Sequence, residues 1–479
     1  MKKLKLSYIG LVMAMVLTAS CTKDLTDLNQ NSKKPAAVAA GTLFANAELN
    51  VTNTLTSTNV NLNIFRLLAQ YWTETTYPDE SQYDLSTRNI PQTFWHALYR
   101  DVLTDLNEAK TIITEDAGTD AAVKKNQLAQ IEIVSIYTYA VLVNTFGNIP
   151  YTQALDINNL SPQYDDAKTV YLDLLTRLDA AIADLDPAAG SFGASDILYK
   201  GDVAGWIKMA NSLKMRLWII IADVEPAKAK AAIEEASPKA FTSASESAIF
   251  HYSTVPPNTN PLWVDLVQSG RLDFVGANTL VDTMNALSDP RLPFFLGEAA
   301  GGGYKGGIYG TSNDYSAFSP VGDLLRAKDF PSVWIDYTEV EFIRAEAIER
   351  GMTGVAGTAA THYTNAVTAS IVSWGGTEED AVAYLARPEV NYATAQGGFK
   401  GKIGVQKWLA LYNRGFEAWT DWRRLDYPKL VKPEEALSEI PVRFPYPVSE
   451  QNLNQINYDK AAEAIGGDEV TTKLFWDKN

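Results

Sequence analysis

One cysteine, Cys21, stands in a chain of 479 residues. No disulfide framework and no cysteine-type zinc site can be built on a single thiol. Histidine is nearly as scarce: His96, His251 and His362 are the only three, and none has a partner at metal-ligand spacing. The sequence also lacks HExxH, GxSxG, Walker A and CxxC patterns, so metal, cofactor and nucleophile-elbow chemistry are not expected. His96, inside "FWHALYRDVL", reads as a packed or surface residue of a helix and not as a base. Positive charge is short: 41 Lys and Arg face 57 Asp and Glu, a formal net charge of −16. That excludes nucleic acid and an anionic membrane surface as natural partners.

Long apolar runs are missing except near the N-terminus. Lys2, Lys3 and Lys5 precede a short apolar stretch from Ile9 to Thr18, and Ala19-Ser20 leads into Cys21. This reads as a secretory signal over residues 1–20 with a lipoprotein-type cleavage point. Cys21 is then the lipidation site, although Thr18 stands where Leu is usual. Several acyl chains on one residue suffice for stable anchoring. Residues 21–35 are polar and read as a lipidated tether, and residues 36–479 as one domain. Without the three signal lysines the net charge becomes −19.

What the chain has in quantity is helical periodicity. "GDVAGWIKMANSLKMRLWIIIADV" sets Trp206, Met209, Ala210, Leu213 and Leu217 on one stripe behind Asp202 as N-cap. Residues 121–145 form a second helix, apolar nearly all round from Leu128 to Val143 and so buried, ending at Gly147 and Pro150. "YDDAKTVYLDLLTRLDAAIADLDP" and "DYTEVEFIRAEAIERG" follow, the latter with Asp336 and Glu339 at capping-box spacing and Gly351 as its stop. "THYTNAVTASIVSWGG" and "VQKWLALYNRGFEAWTDWRRLDYP" complete the set. Trp206, Trp218, Trp334, Trp408 and Trp419 fall on or beside these stripes and read mostly as core or interface. Helix pairs of this length point to a mainly α fold of tetratricopeptide-like hairpins. Residues 70–90, 239–273, 291–335 and 425–479 lack the period and read as long loops over the helical frame.

Several phrases together resemble one family. "SCTKDLTDLNQN", "NTFGNIPYTQAL", "DILYKGDVAGWIKMANSLKMRL", "SDPRLPFF", "EVEFIRAEAIERG", "QKWLALYNRGFEAWTDWRRLDYP" and "IPVRFPYPVSEQNLNQ" occur in order from about residue 21 to 458. They are similar to the SusD/RagB-like nutrient-binding lipoproteins of Bacteroidetes, in the SusD-like type 2 branch. The resemblance implies a helical scaffold with a loop-rich binding region, lipid-anchored on the outer face of the outer membrane. It implies capture of an oligosaccharide, or alternatively a peptide, and its delivery to a SusC-like TonB-dependent transporter without catalysis. It also makes Arg443, in "PVRFPYP", part of an extended segment closing over the helices.

The rings are the remaining signal, with 23 Tyr and 11 Trp. Sugar C–H faces pack on aromatic rings while hydroxyls bond to amides and carboxylates, so a sugar site needs exposed rings with polar neighbours. "QYWTETTYPDESQYDL" offers Trp72, Tyr77 and Tyr83 beside Glu74, Asp79 and Gln82. "GGGYKGGIYGTSNDYSAF" offers Tyr304, Tyr309 and Tyr315 with Asn313, and Trp263 is a third place. Trp72 reads equally as the end of a core helix. Tyr77 and Tyr83 read as packing or as platform, and the tyrosines of 304–315 as ligand contacts, transporter contacts or part of a disordered loop. Glu74, Asp79 and Glu80 are the first carboxylates to weigh for glycoside cleavage, a role set below hydrogen bonding to a ligand.

Overall fold

The computed structural model describes residues 38–479. The signal segment, Cys21 and the tether lie outside the described residues. Helix starts are set by short polar side chains that accept orphan amides at the first turn. Asp120 caps α4, Asp166 caps α5 and Asp202 caps α6, accepting from Ala122, Thr169 and Ala204 at 2.9, 2.8 and 3.0 Å. In chain order the main helices are α1 (Ala40–Thr56), α2 (Ile90–Leu98), α3 (Thr104–Glu115), α4 (Ala121–Phe146), α5 (Ala167–Asp184), α6 (Val203–Ile220) and α7 (Pro226–Ala236). They continue with α8 (Asn278–Leu287), α9 (Tyr337–Glu349), α10 (Ala359–Ser373), α11 (Glu378–Leu385), α12 (Gly398–Ala410), α13 (Gly415–Leu425), α14 (Val448–Leu453) and α15 (Gln455–Ala464). A π turn, Tyr99–Leu103, joins α2 to α3 without a break in the rod.

Neighbours in sequence pack as antiparallel hairpins: α4 with α5, α6 with α7, α9 with α10. The fold is mainly α, as the periodicity predicts. Helix α4 is long and apolar enough to cross a bilayer by length and composition, but 89% of its apolar window is buried inside the protein. All five tryptophans read as core or interface are buried. The strands are short and come in pairs only: β1 (Trp72–Glu74) with β5 (Phe274–Gly276), β2 (Ile149–Pro150) with β3 (Tyr164–Asp165), and β4 (Ala248–Phe250) with β6 (Ser332–Ile335).

Three expectations are corrected. The stretch 405–428 is two helices, not one, because the chain turns at Leu411–Arg414 before α13. Gly415 permits that turn to sit against the short helix Phe65–Leu68; a Cβ there would lie 2.6 Å from the Arg66 nitrogen and 2.7 Å from the Phe65 carbonyl carbon. Backbone cannot yield as a side-chain tip does, so Gly415→Ala is expected to cost about 1–3 kcal/mol, read as a lower urea midpoint. At α9, Asp336 does accept from the Glu339 amide at 2.8 Å, but the Glu339 carboxylate turns to Arg216 and Arg414 and no reciprocal capping box closes. The third is 425–479, which is not all loop: it carries α14 and α15. Arg443 is itself fully buried in an irregular segment, donating to the Phe146 carbonyl and to Asp468.

Candidate ligand-binding site

The antiparallel pairing of β1 with β5 places Trp72 opposite Gly276 and Glu74 opposite Phe274. Residues 74–80 and 271–274, some 200 positions apart in sequence, thereby become the two walls of one cleft. Thr75 ties the walls together, its amide donating to the Asp273 carbonyl (2.9 Å) and its hydroxyl to the Leu272 carbonyl (2.6 Å). The cavity has a volume of about 250 Å³ and a mostly polar lining, with Asn59 and Asn61 from the loop after α1 on a third side.

Both of its guanidiniums are paired. Arg88 binds Glu80, and Arg271 binds Asp273 at 2.5 Å. Glu74 lies behind Glu80, its Oε2 accepting from the Ser81 amide (2.9 Å) and hydroxyl (2.8 Å). Burial, and then the hydrogen-bonded Glu80 carboxyl beside it, push the Glu74 carboxyl up to about 9. Glu74 therefore holds its proton at neutral pH. Asp265 is also held above its usual range, chiefly by burial. Glycosidase carboxyls flank a substrate at about 5–10 Å; Glu74 is instead buried and bonded to Ser81, and Glu80 to Arg88.

Of the ring candidates, only Tyr77 stands at this cleft in the open, 65% exposed and held in a left-handed conformation (φ 58°). Trp72 is a correction: it is fully buried, its indole donating to the Tyr412 hydroxyl at 2.7 Å with the Arg66 guanidinium over its ring. Tyr83 and Tyr309 are also corrections, both buried and packed on each other, with the Tyr309 hydroxyl donating to the Leu67 carbonyl. Asn313 is buried as a loop brace, donating to the Glu74, Ile308 and Thr311 carbonyls. Gln82 is a brace too, bonding the Gly310 carbonyl and Glu435. Glu74 lines the cleft but is spent on Ser81. Asp79 is exposed and does not line it; Tyr304, Tyr315 and Trp263 are half-buried elsewhere, Trp263 beneath the Lys328 ammonium. His96 is half-buried 3.5 Å from the Ser449 hydroxyl.

A second, larger cavity of about 510 Å³ has a largely apolar lining that includes Phe294, Leu324, Phe330, Val372 and Trp374. Its polar groups, among them Asp336, Tyr337, Asn413 and the paired Arg414, are outweighed by this apolar surface. Among the described residues no group of three or more His, Cys, Asp or Glu is placed to hold a metal ion.

A family model described as starch-binding, associating with the outer membrane, matches residues 31–447. The chain belongs to the SusD-like family. A chitin-binding SusD homologue from Flavobacterium johnsoniae is 25% identical, aligned over 92% of this chain and 99% of its own, with a TM-score of 0.78. A SusD homologue from Bacteroides uniformis is 25% identical over 91% of this chain and 99% of its own, TM-score 0.76. A chitin-binding protein at 24% identity, covering 92% of this chain and 100% of its own, shares the fold with a TM-score of 0.80. No curated protein matches. In this SusD-like chain the residues that sequence reasoning missed are Arg88, Arg271, Asp273 and Asp265. For Arg271 and Asp273 the one local signal is "SGRLDFVG", a Gly-bounded alternation at the edge of an unperiodic stretch.

Proposed function

We propose that this chain is a lipid-anchored, cell-surface nutrient-binding protein that captures an oligosaccharide and passes it to a SusC-like TonB-dependent transporter, without catalysis. The observation that carries the reading is the Tyr77 cleft. An exposed ring stands over a polar cavity whose arginine–carboxylate pairs present fixed donors and acceptors. The ring would cover a sugar's C–H face, and Arg88, Arg271, Asp273, Asn59 and Asn61 would meet its hydroxyls. The family description, starch-binding and associating with the outer membrane, and the chitin-binding relative support a carbohydrate as the ligand class. Lipid on Cys21 and a domain over 36–479 belong to the same reading.

Calorimetric titration against starch and chitin oligosaccharides tests it. Tyr77→Ala is expected to weaken the positive glycan at least about tenfold, the equivalent of about 1.4 kcal/mol. Leu324→Ser, in the apolar cavity, should leave affinity unchanged. The opposite pattern would move the site to that cavity. A second reading, a cationic peptide, is favoured by the cleft's carboxyl excess of four against two guanidiniums and by the net charge of −16. Saturable binding of a basic peptide with none of any glycan selects it, and product formed on long incubation ends the claim of no catalysis.

A further inference from the structure

His362 has a hydrogen-bond partner at each ring nitrogen. Its Nδ1 lies 2.8 Å from Oε2 of Glu341, and its Nε2 lies 2.7 Å from the Ala356 carbonyl oxygen. A carboxylate and a carbonyl can only accept, and a neutral imidazole has one N–H to give. Both bonds therefore hold together only in the imidazolium. The countercharge is in place. Glu341 is almost wholly buried, and it also accepts from the Arg344 guanidinium at 2.6 Å and the Asn365 amide at 2.8 Å. Burial raises the Glu341 carboxyl, but His362, Asn365 and Arg344 together hold it below its usual range.

Three pieces of chain meet at this ring: α9 through Glu341, α10 through His362, and their connection through Ala356. The connection turns through left-handed glycines, Gly351 (φ 79°) and Gly357 (φ 91°). A Cβ on Gly357 would lie 2.9 Å from the His362 Nε2, so the ring presses on backbone there. From Gly351 to Thr358 the chain reads "GMTGVAGT" and brings no charged side chain to the ring. Glu341 and Arg344, both of α9, are the charged groups that face it. On the far side α7 holds the connection. Lys230 donates to the Gly351 carbonyl at 3.2 Å, and Glu234 accepts from the Gly354 amide at 2.6 Å. Arg344 is itself moored to the Ser237 and Phe241 carbonyls.

We propose that His362 is a pH-operated clasp: as an imidazolium it closes the 351–358 connection onto α9 and α10, and on losing its proton it frees that connection to open as a local unit. The neutral ring keeps one of its two bonds and turns a lone pair toward the other acceptor. The helices stay joined, because Phe342 packs on Tyr363 whatever the charge. Burial lowers the ring, but the bonds to Glu341 and Ala356 outweigh it and hold it above the ordinary 6.5. The clasp's contribution is therefore complete below 6.5 and is lost as pH rises through the raised value. His96 goes the other way, lowered by burial and then by Arg100. The two rings part in a titration.

The test uses the full chain with isotope-labelled histidine, its ring nitrogens followed by NMR from about pH 5 to 9. Amide exchange of residues 351–358, corrected for intrinsic rates, is followed by mass spectrometry over the same range. His362 is expected to be charged at pH 6.5 and to titrate above His96. Protection of 351–358 should fall at least about tenfold across that titration, while α4 keeps its own. His362→Gln should show the low protection at every pH, and in Glu341→Gln the ring should titrate lower than in wild type. Either wild-type reading alone overturns the clasp: a His362 that is neutral at pH 6.5, or protection that stays level while the ring titrates. The same fall in His362→Gln would assign it to another group and overturn the clasp as well.

Discussion

Glu346→Ala and Arg424→Ala are each expected to lower the stability of the folded chain by about 3–5 kcal/mol. The reason is a line of alternating charges through the helical core. Asp223 meets Arg350 (2.7 Å), Arg350 meets Glu346 (2.7 Å), and Glu346 takes both terminal nitrogens of Arg424. Arg424 then reaches Asp421 (2.6 Å), which holds Lys407 (2.6 Å). Three acids and three bases balance, with Glu346 and Arg424 at the middle and almost wholly buried. Burial alone would raise the Glu346 carboxyl, but Arg424 and Arg350 hold it down at about 2. Removing either central partner leaves one buried charge in excess. Urea unfolding should show the loss as a lower midpoint at unchanged slope. The double variant should cost clearly less than the two single losses added together. A single-variant loss under about 1 kcal/mol would mean that the line is solvated and the argument fails.

The same line explains what was legible in the sequence. Helices α4, α5, α6 and α9 announce themselves by an apolar stripe behind a capping Asp, and those are local signals. Arg424 and Asp421 are visible as a charged turn of "TDWRRLDYP", but their binding to Glu346 on α9 is a tertiary fact that spacing along the chain does not carry. The break before α13 is of the same kind. Gly415 is its local mark, but the close approach of the Phe65 and Arg66 backbone that requires a glycine there is brought about by the fold.

The ligand cleft shows the limit more sharply. Trp72, Tyr83 and Tyr309 keep polar company, and polar company suggests water. In the folded chain those polar neighbours are braces: Gln82, Asn313 and Thr75 spend their donors on loop carbonyls and bury the rings behind them. Strand β1 adds to the confusion, because all three of its residues are buried and no period of two remains to be read. Tyr77, two residues beyond Thr75, points outward because the chain turns through a positive φ there. The cations of the cleft, Arg88 and Arg271, depend on β1 finding β5, a pairing across about 200 residues.

The stability of wild type relative to Glu74→Gln should fall as pH rises from about 5 to 9, by up to about 1.4 kcal/mol per unit over the titrating range. The sign follows from the direction of the shift. Burial first, and Glu80 second, raise the Glu74 carboxyl from 4.5 to about 9 in the folded chain. Between those values the native state holds a proton that the unfolded state has released, so folding takes up a proton. That contribution is complete below about 4.5 and is lost as pH climbs through 9. Glutamine keeps a donor facing Glu80 and cannot titrate, so the variant lacks this slope. Glu48 and Glu417 are raised as well, chiefly by burial, but they are present in both proteins and cancel in the difference. Glu339 and Glu346, held down at about 2 against burial by their arginines, lose their contribution only as pH falls below about 4.5, outside this window. Urea midpoints for the two proteins at pH 5, 7 and 9 decide the matter; parallel profiles would show that Glu74 is ionised beside Glu80 throughout. The same proton bears on the ligand. Its loss adds one negative charge to the wall of the Tyr77 cleft, which strengthens a cationic peptide and leaves a neutral oligosaccharide nearly indifferent. A binding constant that rises with pH in wild type and stays flat in Glu74→Gln therefore marks a cationic ligand, and two flat profiles mark a sugar.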